Sequence, residues 1–282
     1  MRRAVLGAAL AAAVLSTTSS ALAATSPSDG SDGGRGLRVI GLTTDQRLVE
    51  FRADRPDSIS SSRAITGLQG DTTLVGFDFR VQDNLLYAVG NAGGVYTVRT
   101  RTAVATKVSQ LSIPLSGANF GVDFNPAVDR LRIISDTGQN LRHDVTAALG
   151  GTVADTVLTN VPSPNPALGV AGAAYTNNDL NVATATTLYN IDTVNDLVSL
   201  QSPANAGTLV PTGNIGVDAG PNAGFDIYYS PKEGVNTGYA ALRVANSYRF
   251  YRINLQNGAA KRIGTFPAGR QVTDIALPLN QK

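Results

Sequence analysis

From Leu37 onward, short apolar runs of Val, Ile, Leu, Phe and Tyr alternate with clusters of Gly, Asn, Asp, Ser and Pro, and no apolar stripe follows the helical period. That pattern predicts strands joined by tight turns, an all-β fold. The clearest stretch places strands near residues 74–80, 85–90, 94–99 and 104–111. Gln82-Asp83-Asn84, Asn91-Ala92-Gly93 and Arg101-Thr102-Ala103 lie between them, each suited to a hairpin.

The same arrangement recurs. Gly121-Val122-Asp123-Phe124-Asn125-Pro126 opens a second copy with strands near 120–125, 130–135, 140–145 and 152–158, and it repeats the opening Gly76-Phe77-Asp78-Phe79. A third copy begins at Val170 and runs to about residue 210, with Thr187–Asp192 as its third strand. A fourth opens at Gly224-Phe225-Asp226-Ile227 and carries Asn257-Gly258 as a hairpin signal. Pro162-Ser163-Pro164-Asn165-Pro166 is too rich in Pro for a central strand and reads as a loop between copies.

A repeat of roughly 40 to 50 residues built from four strands is the length of a β-propeller blade. The segments 37–41, 47–51 and 58–65 supply three strands without an opening one, whereas Val272–Leu277 is an opening strand with nothing after it. Joined, they complete a blade and cover edges that would otherwise template pairing with other chains. The expected fold is a β-propeller of five four-stranded blades over residues 37–282, closed by the C-terminal strand, or of six blades if two copies are merged.

Composition narrows the chemistry. The sequence of 282 residues has no Cys and a single His, His143, which excludes thiolate chemistry and multi-imidazole metal sites and leaves oxygen-ligated calcium or magnesium as the metals the composition supports. Residues 1–23 combine Arg2 and Arg3, an apolar run from Ala4 to Leu15 and a small-x-small end at Ala21-Leu22-Ala23, the parts of a secretory signal peptide. The run is shorter than the about 20 residues needed to span a bilayer. Residues 24–36, rich in Ser, Gly and Asp, read as a flexible linker. Without Arg2 and Arg3 the chain carries 21 basic and 21 acidic residues, which gives no electrostatic footprint for nucleic acid. The expected protein is therefore exported, secreted or periplasmic, and monomeric, with no transmembrane segment.

The stretches Gly121–Pro126, Arg130-Leu131-Arg132, Ser135–Arg142, Ala173–Asn177, Thr187–Asp192, Asn205–Leu209 and Gly224–Ile227 resemble the signature of an exported bacterial family catalogued as a domain of unknown function, DUF4394. The resemblance covers essentially all of residues 37–277. It implies a propeller-like exported domain and supplies no activity, substrate or catalytic residue.

Candidate chemistry comes from the residues themselves. Asp78, Asp123, Asp226 and Asp274 occupy the same place on four of five opening strands, with Ala174 at the fifth. Inner strands crowd round a propeller axis, so these carboxylates could ring a cation such as calcium. Alternatively, each accepts backbone N–H groups of the neighbouring blade and locks blade to blade. Asp136, Gly138 and Asn140 are spaced like part of a calcium loop but lack its remaining ligands, and read as a hairpin turn. His143 next to Asp144, with Ser135 as the nearest hydroxyl, has no nucleophile elbow and reads as an exposed strand histidine. The aromatic and Arg positions of 243–252 fit either a stacking surface or blade core. The expected function is a non-catalytic binding or scaffold module for an extracellular glycan or protein. The alternative is a divalent-cation-dependent hydrolase or lyase acting at the central channel.

Overall fold

Strand after strand, the polar and apolar alternation resolves into 21 β-strands and a single 3-10 turn at Ala204–Ala206, with no α-helix among the described residues. The structure is a computed structural model that describes residues 36–147, 151–181 and 183–281. The expected signal peptide, and all of the expected linker except Gly36, lie outside the described residues.

The strands form a five-bladed β-propeller. Blade I contains β1 (Arg38–Thr43), β2 (Arg47–Arg52), β3 (Arg55–Ala64) and β21 (Val272–Ala276). Blade II contains β4 (Leu74–Phe79), β5 (Leu86–Gly90), β6 (Gly94–Arg99) and β7 (Val104–Gln110). Blade III contains β8 (Phe120–Asn125), β9 (Arg130–Ser135), β10 (Asn140–His143) and β11 (Thr152–Ala154). Blade IV contains β13 (Val170–Tyr175), β14 (Leu188–Asp192), β15 (Leu197–Gln201) and β16 (Thr208–Asn214). Blade V contains β17 (Ala223–Ser230), β18 (Val235–Val244), β19 (Ser247–Ile253) and β20 (Ala260–Thr265). Successive strands within each blade pair antiparallel.

The ring closes as the sequence implies. Strand β21 pairs antiparallel with β1, Ile40 opposite Ala276 and Gly41 opposite Ile275, so the last strand becomes the inner strand of the first blade. The inner strands β21, β4, β8, β13 and β17 follow one another round the axis, each beside the next. The Gly of the repeated opening motif permits that approach. A Cβ at Gly121 would stand 2.6 Å from the Ala173 backbone nitrogen of the next blade, and one at Gly224 would stand 2.5 Å from the Asp274 Cα.

Blade IV departs from the expectation. The strand at 188–192, expected as the third of its copy, is the second, because a long connection covering residues 176–187 follows β13. A two-residue strand, β12 (Thr159–Asn160), adds to this blade parallel to β16, just before the Pro-rich loop. Its Pro content stops the pairing from extending further.

The core lies between blades. Because side chains alternate, Leu131 and Ile133 of β9 face blade II together with Tyr87, Val89 and Val95, while Ile134 faces blade IV with Leu188 and Leu209. Between blades V and I, Phe51, Phe250 and Phe266 meet edge to face, the closer pairs 5.2 Å apart between ring centroids. Phe250 and Tyr251 are both fully buried, so the aromatic segment of β19 is blade core rather than a stacking surface. Burial of each such side chain stabilises the fold by about 1.5–3 kcal/mol.

Candidate functional site

The repeated aspartates meet the neighbouring inner strand. Asp274 Oδ2 accepts the Phe77 N–H at 2.9 Å, Asp78 Oδ2 the Phe124 N–H at 2.9 Å, Asp123 Oδ1 the Tyr175 N–H at 3.0 Å and Asp226 Oδ2 the Leu277 N–H at 2.6 Å. Asp78 and Asp226 use their second oxygen on the N–H of the following residue, Phe79 and Ile227. Each carboxylate thus latches one blade to the next. Ala174 leaves no latch from blade IV to blade V, where Ala171, Ala174 and Ile191 pack instead against Phe225 and Ile227.

The same geometry concentrates charge. Asp78, Asp123 and Asp226 each present an oxygen, all within 4.8 Å of one another. Asp274, the fourth residue of the expected ring, stands outside that group. Burial first, then the Asp226 carboxylate, pushes Asp78 well above the usual carboxylate range. Burial and Asp78 do the same to Asp123. Burial also raises Asp274 well above its ordinary value and Asp226 to about 6.

Such groups take up protons on folding. Their stability contribution is complete below the ordinary value near 3.8 and is lost as the pH rises through about 6 for Asp226. Buried His143, with its pKa lowered from 6.5, works in the opposite sense on acidification. Comparison with a variant separates the two effects. Asp123→Asn retains the acceptor for Tyr175 and turns an amide toward two carboxylates. It is expected to melt above the wild type at about pH 8, with a weaker pH dependence, gaining roughly 2–4 °C per kcal/mol in a domain of this size. Asp123→Ala leaves the Tyr175 N–H unpaired and melts lower. A lower melting temperature for Asp123→Asn at that pH would refute the repulsion account.

Other residues flagged by the sequence have structural partners. His143 is fully buried, not exposed. Alternation on β10 turns it toward blade II, where its Nε2 lies 2.9 Å from Ser109 Oγ, while its Nδ1 lies 2.9 Å from Thr152 Oγ1 on the adjacent β11 of its own blade. Asp144 turns instead to Thr146 and Arg130, and Ser135 Oγ pairs with Thr137, so no Ser-His-Asp triad forms among the described residues. Asp136 accepts the N–H groups of Ala118 and Asn119 as a turn clamp.

The feature the sequence did not announce lies between blades III and IV. Alternation on β9 and β10 sends Arg132, Asn140 and Arg142 toward blade IV, the side where Ile134 packs. Arg132, only 3% exposed, donates to Asp155 Oδ2 at 2.6 Å, Asn140 Oδ1 at 2.8 Å, Asn205 Oδ1 at 2.8 Å and the Tyr175 hydroxyl at 3.3 Å. Asn140 donates onward to the carbonyls of Thr156 and Ala204, and Gln201 links Asn140 to Asn190. This polar network lies beside the apolar cluster of Ile134, Leu188 and Leu209 at the same junction. A cavity of about 400 Å³ opens there, lined by Asn125, Val128, Arg130, Arg132, Arg142, Tyr175 and the 203–205 turn.

One signal for this pocket was present in the sequence pattern. Arg132 and Arg142 fall directly opposite each other in the β9–β10 register. Like charges in that position destabilise a sheet unless something neutralises them. Asp155 does so, bonding Arg132 and, at 3.1 Å, Arg142 Nε. That Asp lies in the segment after β11, and only the folded chain brings it there.

The family model described as Domain of unknown function (DUF4394) matches residues 47–276, from blade I to the closing strand. The chain belongs to this family. The matched range includes Arg130–Arg132, Ser135–Arg142, Ala173–Asn177 and Asn205–Leu209, which contribute residues to the pocket or its supporting network. No curated protein matches the sequence significantly.

Solved structures similar to the chain include an auxiliary nutrient binding protein from Bacteroides ovatus, 14% identical with a TM-score of 0.43, matched over 71% of this chain and 55% of that one. A protein of unknown function from Bacteroides thetaiotaomicron is 12% identical with a TM-score of 0.43, over 88% and 66% of the two chains. The glutaminyl cyclase of Myxococcus xanthus is 12% identical with a TM-score of 0.41, over 87% and 96%. The chain spans little more than half the length of the first of these structures and about two thirds of the second.

Proposed function

We propose that this protein is an exported, non-catalytic binding module, secreted or periplasmic, that seats an extracellular glycan in the pocket between blades III and IV. The observation that supports this reading is the pocket itself: a concavity of about 400 Å³ at the junction where a buried polar network lies beside the apolar packing of Ile134, Leu188 and Leu209. Small-ligand sites commonly have that volume and combine a few fixed polar groups with apolar wall. Val128, Pro203, Ala204 and Tyr175 supply the wall, and two amides and three guanidinium groups supply the polar points. Such a concavity suits one or two sugar units better than the flat face of a folded protein.

Val128 lines the pocket while standing 59% exposed on the β8–β9 turn, so Val128→Trp can fill the opening without disturbing the core. In a thermal-shift screen of glycans, a true ligand at about 100 times its Kd stabilises the protein by roughly 2.7 kcal/mol. Val128→Trp is expected to abolish that shift while leaving the melting temperature of the free protein unchanged. An undiminished shift in the variant would place the ligand elsewhere.

The alternative, cation-dependent hydrolysis or elimination at the channel, draws on the 4.8 Å grouping of Asp78, Asp123 and Asp226. Against it stand the backbone N–H groups that these carboxylates already hold across blades. Melting the wild type with calcium and then with a chelator separates the readings, because a bound cation must raise the melting temperature.

A further inference from the structure

We propose that the ligand of this pocket is an anionic sugar, a hydroxylated ring bearing a carboxylate or phosphate, gripped at its anion by Arg142 beside Arg130. The inference rests on the pocket being the ligand seat, and it comes from which hydrogen-bonding groups the protein has left free.

The acceptors of the lining side chains are already engaged. Asn125 Oδ1 accepts the N–H groups of Ala127 and Val128 at 3.0 and 3.3 Å, and Asn205 Oδ1 accepts from Arg132 at 2.8 Å. All these partners are donors, which fixes both amides with nitrogen, not oxygen, left over. The Tyr175 hydroxyl accepts from Arg132 Nε, and its own proton goes to no described group. Arg142 reaches Asp155 through Nε alone, so its two terminal nitrogens donate to no described residue. The lining therefore offers side-chain donors: Asn125 Nδ2, Asn205 Nδ2, the Tyr175 O–H and the forked end of Arg142. A neutral sugar, whose hydroxyls must donate as well as accept, would find few side-chain acceptors. An anionic group accepts only, and a carboxylate or phosphate matches the planar guanidinium fork.

Charge points the same way. Arg130, Arg132 and Arg142 face two carboxylates, Asp144 on Arg130 at 3.0 Å and Asp155 shared between the other two. One positive charge is left over in a recess partly screened from water. Arg132 is committed to the network beneath and acts as a positioning residue. Arg142, with its side chain 38% exposed, is the guanidinium group with a free fork, whereas Arg130 gives Nη1 to the Val128 and Asp129 carbonyls and Nη2 to Asp144 and adds its charge beside it.

Titration calorimetry of the purified protein with glucuronate, galacturonate, a hexose phosphate, glucose and inorganic phosphate tests this at low and high salt. At least one anionic sugar is expected to bind, glucose roughly tenfold or more weaker, with affinity falling as salt rises. Arg142→Gln is expected to weaken the anionic sugar roughly tenfold or more, while the free protein still melts cooperatively because Arg132 keeps the buried Asp155 paired. Uronate against hexose phosphate tells which anion is read. Glucose binding as tightly as the uronates, an unchanged Kd in Arg142→Gln, or inorganic phosphate matching the sugars would overturn the inference. If a neutral sugar binds and Val128→Trp blocks it, the seat stands and only the anion assignment fails. If no member of the panel binds, the inference falls, while a glycan outside the panel blocked by Val128→Trp would still support the seat.

Discussion

A variant lacking residues 271–282 is expected to be unfolded at room temperature, with loss of the cooperative melting transition and of native β-sheet circular dichroism. Strand β21 is the inner strand of blade I, hydrogen-bonded to β1. Val272, Ile275, Ala276 and Leu277 are each no more than 2% exposed. Losing the three larger ones forfeits about 1.5–3 kcal/mol apiece. Two latches disappear as well, since Asp274 no longer receives the Phe77 N–H and Asp226 no longer receives the Leu277 N–H. Buried groups stranded in this way cost about 1–3 kcal/mol each. Together these losses reach the whole stability of a typical domain, about 5–15 kcal/mol, and they leave an open β1 edge that invites aggregation. A cooperative transition at the wild-type temperature would mean that the ring closes without β21.

The largest single-residue effect is expected at Arg132. Arg132→Met keeps the length and apolar stem but removes the guanidinium that bonds Asp155, Asn140, Asn205 and Tyr175 at the blade III–IV junction, where Asp155 is itself only 5% exposed. Breaking a buried pair on one side costs about 3–5 kcal/mol, and here the buried Asp155 keeps only the half-exposed Arg142 as partner while Asn140 and Asn205 each lose a donor. In a domain of this size the melting temperature should fall by roughly 6–20 °C. Adding Asp155→Asn should recover part of the loss by removing the stranded charge, and the double-mutant cycle measures how much. Arg132→Lys should recover little, since an ammonium cannot reach Asp155, Asn140, Asn205 and Tyr175 at once. Should Arg132→Met melt with the wild type, the polar network would not be what holds this junction together.

Within a blade, order was legible because it is local. The alternation in 74–110 placed four strands within a residue or so of their observed ends, and the turns at Asn84, Gly93 and Ala103 each bring a residue into the left-handed region, with φ of 57°, 83° and 57°. Blade IV was read less well because its hydrophobic pattern does not reveal that residues 176–187 form a long connection. His143 was misjudged for a related reason. Period-two alternation says that Leu141 and His143 share a face, but not that the face is covered by β7.

Sequence alone determined the repeated four-strand unit, the closing role of Val272–Leu277 and the shared position of the four aspartates, because strand period, turn chemistry and repeat spacing are written within a few tens of residues, while the count of five rather than six blades came from the fold. Tertiary structure decided which carboxylates come within 4.8 Å of one another and that Asp155, Tyr175 and Asn205 converge on two cross-strand arginines. Partners of Arg132 lie up to 73 residues away along the chain, as Asn205 does. Their meeting depends on the order and spacing of blades round the ring, which the local pattern of strands and turns does not encode.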